Sequence, residues 1–193
     1  SKYDATENDI LKPTTKYAQG KHFCETWCEL MKSKDFCVTI TRSASVCGVS
    51  SRMRFDTTVN KMIHDAMKMG VITVNGGEQK RSHISIQDIS RAYKQLMAIP
   101  AEIINGETFN YVAENLTVKE LAMMVSEVTG AKCLFKERTD DRSYSVSGHK
   151  ARKVLGFEPK QTIRDVVEYM TTLFQGGYWK DTSAPKYTNI AAL

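Results

Sequence analysis

Tyr17 and Lys21 stand four residues apart in the segment PTTKYAQGK, so on a helix both side chains leave the same face one turn apart. That spacing permits acid–base chemistry. An ammonium about 4 Å from a phenol oxygen favours the phenolate by about 4 kcal/mol at an effective dielectric near 20, which lets a tyrosine exchange a proton near neutral pH. The same spacing also occurs on ordinary solvated helix surfaces, and the pair alone does not separate the two readings. Cys24 and Cys28 share a helix face as well, but none of His22, His64, His83 and His149 lies at a matching ligand spacing. The two thiols therefore read as small buried hydrophobes, and no metal is expected.

The elements that must carry these residues follow from periodicity and stop signals. Pro13-Thr14-Thr15 starts a helix whose Phe23, Trp27, Leu30 and Met31 recur at helical spacing to about Lys34. FCVTITRSASVCG then reads as a buried strand feeding a loop, and Asp56 to Met69 as a second helix stopped by Gly70. VITVNGG is a strand ending in a turn. SHISIQDISRAYKQLMAIP is a brief strand and a helix beginning near Gln87 or Asp88, and GETFNYV is another strand. Thr117 and Glu120 form a capping-box pattern before LAMMVSEVTG, a role that explains Asn115-Leu116-Thr117 better than glycosylation does. Two further helices are expected over about Gly148 to Leu155 and Thr162 to Phe174, followed by a loose tail.

At 193 residues, 41% hydrophobic and 25% charged, the chain has the composition of a globular protein of one or two domains. No apolar run reaches the roughly 18 residues of a membrane span, and SKYDATENDILKP has neither the basic start nor the apolar stretch of a signal peptide. A cytoplasmic location without membrane association is the expectation. Five cysteines, odd in number and without a Cys-x-x-Cys pair, read as reduced thiols. The net charge of +5 suits an anionic partner, but the basic residues are scattered, which fits a phosphorylated small molecule better than a nucleic acid.

Four segments, in order, carry a resemblance. PTTKYAQGK resembles the Pro-x-Ser-x-Tyr-x-x-x-Lys segment of extended short-chain dehydrogenase/reductases. TITRSASVCGVSSRMRFDTTVNKM resembles the following strand and loop in the NAD-dependent epimerase/dehydratase branch, with Ser51 in place of a usual Pro. VNGGEQKRSHISIQDISRAY resembles that branch's Gly-x-x-x-Arg-x-x-x-His-Val-x-Asp pattern, with the histidine displaced to His83. ERTDDRSYSVSGHKARKVLGFEPK resembles its Arg-x-Asp-x-Arg segment and Leu-Gly-Phe-x-Pro ending.

The resemblance implies an α/β fold: the C-terminal part of a Rossmann-like doubly wound parallel sheet plus a smaller α/β substrate-binding region. Residues 1–50 would end the NAD-binding domain with the catalytic helix and its strand, 51–180 would be mainly substrate-binding, and 181–193 the loose tail. It implies chemistry on a nucleotide-diphosphate sugar with NAD, or NADP, as cofactor: epimerisation by transient oxidation, or else reduction or dehydration. Tyr17 would be the acid/base, with Lys21 also holding the nicotinamide ribose. Ser43, Ala44 and Ser45 would pass the nicotinamide, Ser45 also the substrate phosphate, unless they are small only for close packing. Arg81, with Arg138 or Arg142, would reach the substrate's diphosphate and nucleotide, where planar guanidinium donors pair with phosphate oxygens. Arg52 and Arg54 stay open between structural and substrate-side roles.

No glycine-rich turn lies between a strand and a helix, since Gly76-Gly77 follows a strand and leads to another. The cofactor's pyrophosphate cradle and the catalytic Ser or Thr are expected upstream of Ser1. Without that half, the apolar face of the first helix is expected to be exposed, and association as a homodimer or with the cofactor half is expected.

Overall fold

A computed structural model describes residues 4–137 and 142–189. The first helix, α1 (Lys16–Met31), is capped by the Thr15 hydroxyl, which accepts from the Ala18 amide at 3.1 Å. Two short strands follow, β1 (Ile40–Ser43) and β2 (Ser45–Cys47), then α2 (Thr58–Met69). Helix α2 starts two residues later than the sequence pattern placed it. Asp56 is held outside by the Arg54 guanidinium, and Thr57 is extended. Gly70 ends the helix at φ 67°, a left-handed conformation that glycine adopts at no steric cost.

The remaining elements are β3 (Val71–Asn75), β4 (Lys80–Ser85), α3 (Ile86–Leu96), a short α4 (Ala101–Ile104), β5 (Thr108–Tyr111), β6 (Glu114–Thr117), α5 (Val118–Thr129), β7 (Lys132–Lys136), α6 (His149–Leu155) and α7 (Ile163–Gln175). The Thr117–Glu120 capping box forms in full at the start of α5. Asn115 is consumed in tertiary bonding: its side chain joins the Ser82 hydroxyl and both polar groups of the Val146 backbone.

Strand pairing creates the feature that matters for function. β1 runs parallel to β5, β2 runs parallel to β4, and β4 pairs antiparallel with β6. The continuous stretch 40–47 thus changes partner at Ala44, and 108–117 changes partner at Val112-Ala113. The Ala44 amide donates to the Tyr111 carbonyl and the Ala113 amide to the His83 carbonyl, each at 2.9 Å, so both divergences are fixed at one place. A wedge opens where strands part, the position at which α/β sheets bind ligands. β3 and β7 form a separate parallel pair.

Two apolar clusters support the wedge. One joins α2, β3, α5 and α7 around Ile63, Val74, Leu121 and Val167; the other joins α3, β5 and α6 around Ile84, Phe109 and Leu155.

Two expectations are corrected. The segment after α7 is not loose as far as residue 189. Trp179 is buried, Tyr187 stacks 5.2 Å from Phe55, and the Asn189 amide donates to Asp56, because the aromatic side chains find the apolar surface of the first cluster. Cys24 and Cys28 are exposed rather than buried, because α1 buries none of its residues in this chain; Cys47 is buried and Cys133 partly so, and all are free thiols. Phe23, Trp27, Leu30 and Met31 are correspondingly exposed.

Candidate functional site

The cleft at the strand divergence has a volume of about 810 Å³. Tyr17 from the first turn of α1 lines it, opposite the main-chain run Ser43, Ala44 and Ser45 at the parting of β1 and β2. The small side chains at the divergence leave the backbone accessible. Gly48, at φ 110°, extends the same wall, and a side chain there would meet Ile86 at 3.2 Å. Tyr17 is 75% exposed, so its hydroxyl-bearing ring projects into open space rather than into packing. The Lys21 ammonium sits 5.6 Å from the Tyr17 ring centroid, within cation–π range. Tyr17 and residues 43–45 thus line one cleft, and Lys21 stands beside the Tyr17 ring without lining it.

Helix α1 is tied to this wall by a fork. Glu25, one turn beyond Lys21, accepts from the Arg42 guanidinium at 2.7 Å, and Arg42 also donates to the Glu7 carbonyl. The ends of the loop from Gly48 to Arg54 are joined by Asn60 on α2, which accepts from the Gly48 amide and donates to the Arg54 carbonyl, both at 2.9 Å. That closed loop carries Arg52 and Arg54 onto the cleft wall. Arg42, Asn60 and this pair of arginines had no separate signal in the sequence beyond the RMRFD match.

Arg81 and Arg142 meet one another but line the cleft only through a neighbour. Arg81 donates to the Arg142 carbonyl and lies 5.1 Å over the ring of Tyr144, which is part of the cleft wall. Arg138 lies outside the described residues. Among the described residues no group of histidines, cysteines or carboxylates could hold a metal ion, and no helix is long and apolar enough to cross a membrane.

Charge states follow from neighbours. The Arg54 fork holds the Asp56 carboxyl down at about 2 against a burial penalty, with help from the Asn189 amide. Cys47 lines the cleft, but burial, with Glu114 adding to it, pushes its thiol up to about 12, which keeps it protonated and unreactive. A second cavity of about 420 Å³ shares Asp56 with the cleft and contains His64, whose Nε2 meets the Thr182 hydroxyl at 3.0 Å.

Ser85 stands where the resembling pattern has its histidine, and its hydroxyl accepts from the Asp88 amide at the start of α3. His83 itself is buried on β4 with neither ring nitrogen hydrogen-bonded, so burial, with Arg81 adding to it, lowers its pKa to about 4. Below pH 6.5 the unfolded chain then binds a proton that the native chain does not. Stability should fall by about 3 kcal/mol between pH 6.5 and pH 4 and show no further loss from this group below that. Denaturant unfolding across this range should show the slope in the natural chain and lose it in His83→Leu; an unchanged slope in the variant would assign it elsewhere.

The sequence profile described as "NAD dependent epimerase/dehydratase family" matches residues 2–111, more than half of the chain. The chain belongs to that family. Solved structures of the same fold include UDP-glucose 4-epimerase from Thermotoga maritima with UDP-glucose, at 22% identity and TM-score 0.79, matched over 92% of this chain and 59% of that one. A dTDP-glucose 4,6-dehydratase from Bacillus anthracis, in complex with NAD, is similar at 18% identity and TM-score 0.79, over 92% and 58%. RMD from Pseudomonas aeruginosa, complexed with NADPH, is similar at 16% identity and TM-score 0.76, over 88% and 59%. The chain thus spans a little under three fifths of the length of these epimerase/dehydratase-family structures.

Proposed function

We propose that this chain is the substrate-side part of an NAD-dependent nucleotide-sugar epimerase that works by transient oxidation at a sugar carbon. The observation that supports this reading is Tyr17 on one open cleft with residues 43–45, with Lys21 beside its ring. Tyr17 accepts the proton of the sugar hydroxyl as the carbon is oxidised, and returns it when the carbon is reduced from the opposite face. Lys21 stabilises the phenolate that must be present before the proton is taken and that re-forms once it is returned. Bound NAD, or NADP, would supply the hydride acceptor and donor. The residues present fit the nicotinamide end, because Ser43, Ala44 and Ser45 leave a shallow wall there and Lys21 can donate to a ribose hydroxyl.

Ser45, Arg81 and Arg142 are assigned to the substrate, with Arg138 as a further candidate. Epimerisation is chosen over reduction or dehydration as the reaction needing the least beyond Tyr17, since proton and hydride both return. A second reading, a nucleotide-sugar-binding module without turnover of its own, is favoured by Gly76 and Gly77 joining two strands, β3 and β4, rather than a strand to a helix. The exposed Phe23, Trp27, Leu30 and Met31 on α1 support association, as a homodimer or with a cofactor-binding half.

The test is turnover by the complete enzyme with UDP-, GDP-, CDP- and dTDP-sugars and either cofactor. Interconversion of two epimers without net consumption of cofactor is expected with one nucleotide class. Net oxidation of reduced cofactor would replace the epimerase reading by the reductase one, and binding without turnover would favour the module.

A further inference from the structure

The chain after α7 is pinned to the molecule at its two ends and stands off between them. Trp179 is the near pin, buried in the first apolar cluster with its ring 4.6 Å from Phe174 and 5.3 Å from Phe55. The far pin grips the cleft wall itself. The Phe55 amide donates to the Tyr187 carbonyl at 2.8 Å, the Asn189 amide donates to the Asp56 carboxylate at 3.0 Å, and Arg52 donates to the Lys186 carbonyl and to the Asn189 side-chain oxygen. Between the pins the cavity of about 420 Å³ separates this strap from Phe55 and α2: Lys61 and His64 line one side, Thr182, Ser183 and Ala184 the other. The Thr182 hydroxyl meets His64 Nε2 at 3.0 Å, but the space beside that contact is unfilled, where interiors are normally close-packed.

We propose that residues 180–189 form a latch on the cleft, which opens at its far end as a unit and releases Arg52 and the wall around it while the rest of the fold stays closed. The far pin consists of hydrogen bonds and one half-buried ring, Tyr187 on Phe55, set over an unfilled space. A segment held in this way opens locally at a fraction of the global unfolding free energy. The near pin does not open with it, because Trp179 is part of the core. Arg52 and Asp56 both line the cleft and are bonded directly to the strap, so the order of that wall follows the state of the latch. The movement is confined. Asn60 holds the Gly48 amide and the Arg54 carbonyl whether or not the strap is in place, which leaves the crown of the loop between them to shift.

The test is native-state hydrogen exchange, read amide by amide, on the natural chain and on Tyr187→Ala, Asn189→Ala and Tyr169→Ala, the last an aromatic truncation at an exposed site on α7. In the natural chain the Phe55 amide should exchange at least about 10-fold faster than the amides of Ile63 in α2 and Val167 in α7. Its rate should also rise less steeply with denaturant, because opening the latch exposes little surface. A lost aromatic contact shifts such an opening by about 2- to 10-fold. Tyr187→Ala should therefore speed Phe55 exchange by that factor and tryptic cleavage after Arg52 in the same ratio. Asn189→Ala removes one acceptor from Arg52, so it should speed that cleavage by less, and it keeps the test decisive if the Tyr187 variant does not fold. Tyr169→Ala should change neither. A Phe55 amide that exchanges with the rate and denaturant slope of Ile63 and Val167 would overturn the latch. So would faster Phe55 exchange in Tyr187→Ala with cleavage after Arg52 unchanged, or equal acceleration of both by Tyr169→Ala.

Discussion

Tyr17→Phe is expected to lower turnover of the nucleotide sugar by about 100- to 10,000-fold in the complete enzyme, with substrate affinity nearly unchanged. The ring is mostly exposed and makes no packing contact that phenylalanine would lose, so the variant removes only the group that exchanges the proton. Lys21→Ala should slow turnover similarly and weaken the cofactor as well, because on the proposed reading its ammonium serves both the phenolate and the ribose. Steady-state kinetics with cofactor titration separate the two variants. Wild-type turnover in Tyr17→Phe would return the pair to an ordinary helix surface.

Asp88→Ala is expected to cost about 3 to 5 kcal/mol of folding stability, the range for removing one partner from a buried charged network. The Asp88 side chain is almost fully buried, yet it accepts from the Lys160 amide at 3.0 Å, the Gln161 amide at 3.1 Å and the Arg91 guanidinium. Burial alone would push its carboxyl up; these donors overcome that and hold it below the usual carboxylate range. Truncation leaves two partly buried amides without their acceptor and frees the segment ahead of α7 from α3. Asp88→Asn, which keeps one acceptor oxygen, should cost less. Urea unfolding of both variants measures the difference, and a loss below 1 kcal/mol in Asp88→Ala would mean that water replaces the carboxylate freely.

Much of this architecture is legible in the sequence where local signals and tertiary packing agree. The capping box at Thr117, the glycine stop at Gly70 and the helical spacing of Phe23 and Trp27 each reappear in place, because backbone hydrogen bonding and sterics decide them locally. The exposure of the α1 apolar face was likewise foreseeable from a parallel sheet needing cover on both sides. β6 and β7 were not foreseen. β6 is four half-buried residues defined by its antiparallel pairing to β4, and Lys132–Lys136 places charged residues at both ends of a largely exposed strand; such pairings are set by partners distant in sequence. The anchoring of residues 179–189 escaped notice for a similar reason. Gly176-Gly177 and Pro185 read locally as punctuation, whereas Trp179 and Tyr187 are fixed by Phe55, more than a hundred residues away.

That Tyr17 and residues 43–45 face one cleft was legible because one helix and one strand carry them. The role of Asn60 was not, since it depends on how the loop from Gly48 to Arg54 closes.

A crystal structure of this chain with UDP-glucose tests the central assignment most directly. The expected result is a sugar hydroxyl within about 2.6 to 3.2 Å of the Tyr17 phenol oxygen. A nucleotide sugar bound instead in the cavity beside His64 and Thr182, or in the cleft with its sugar turned away from Tyr17, would contradict it.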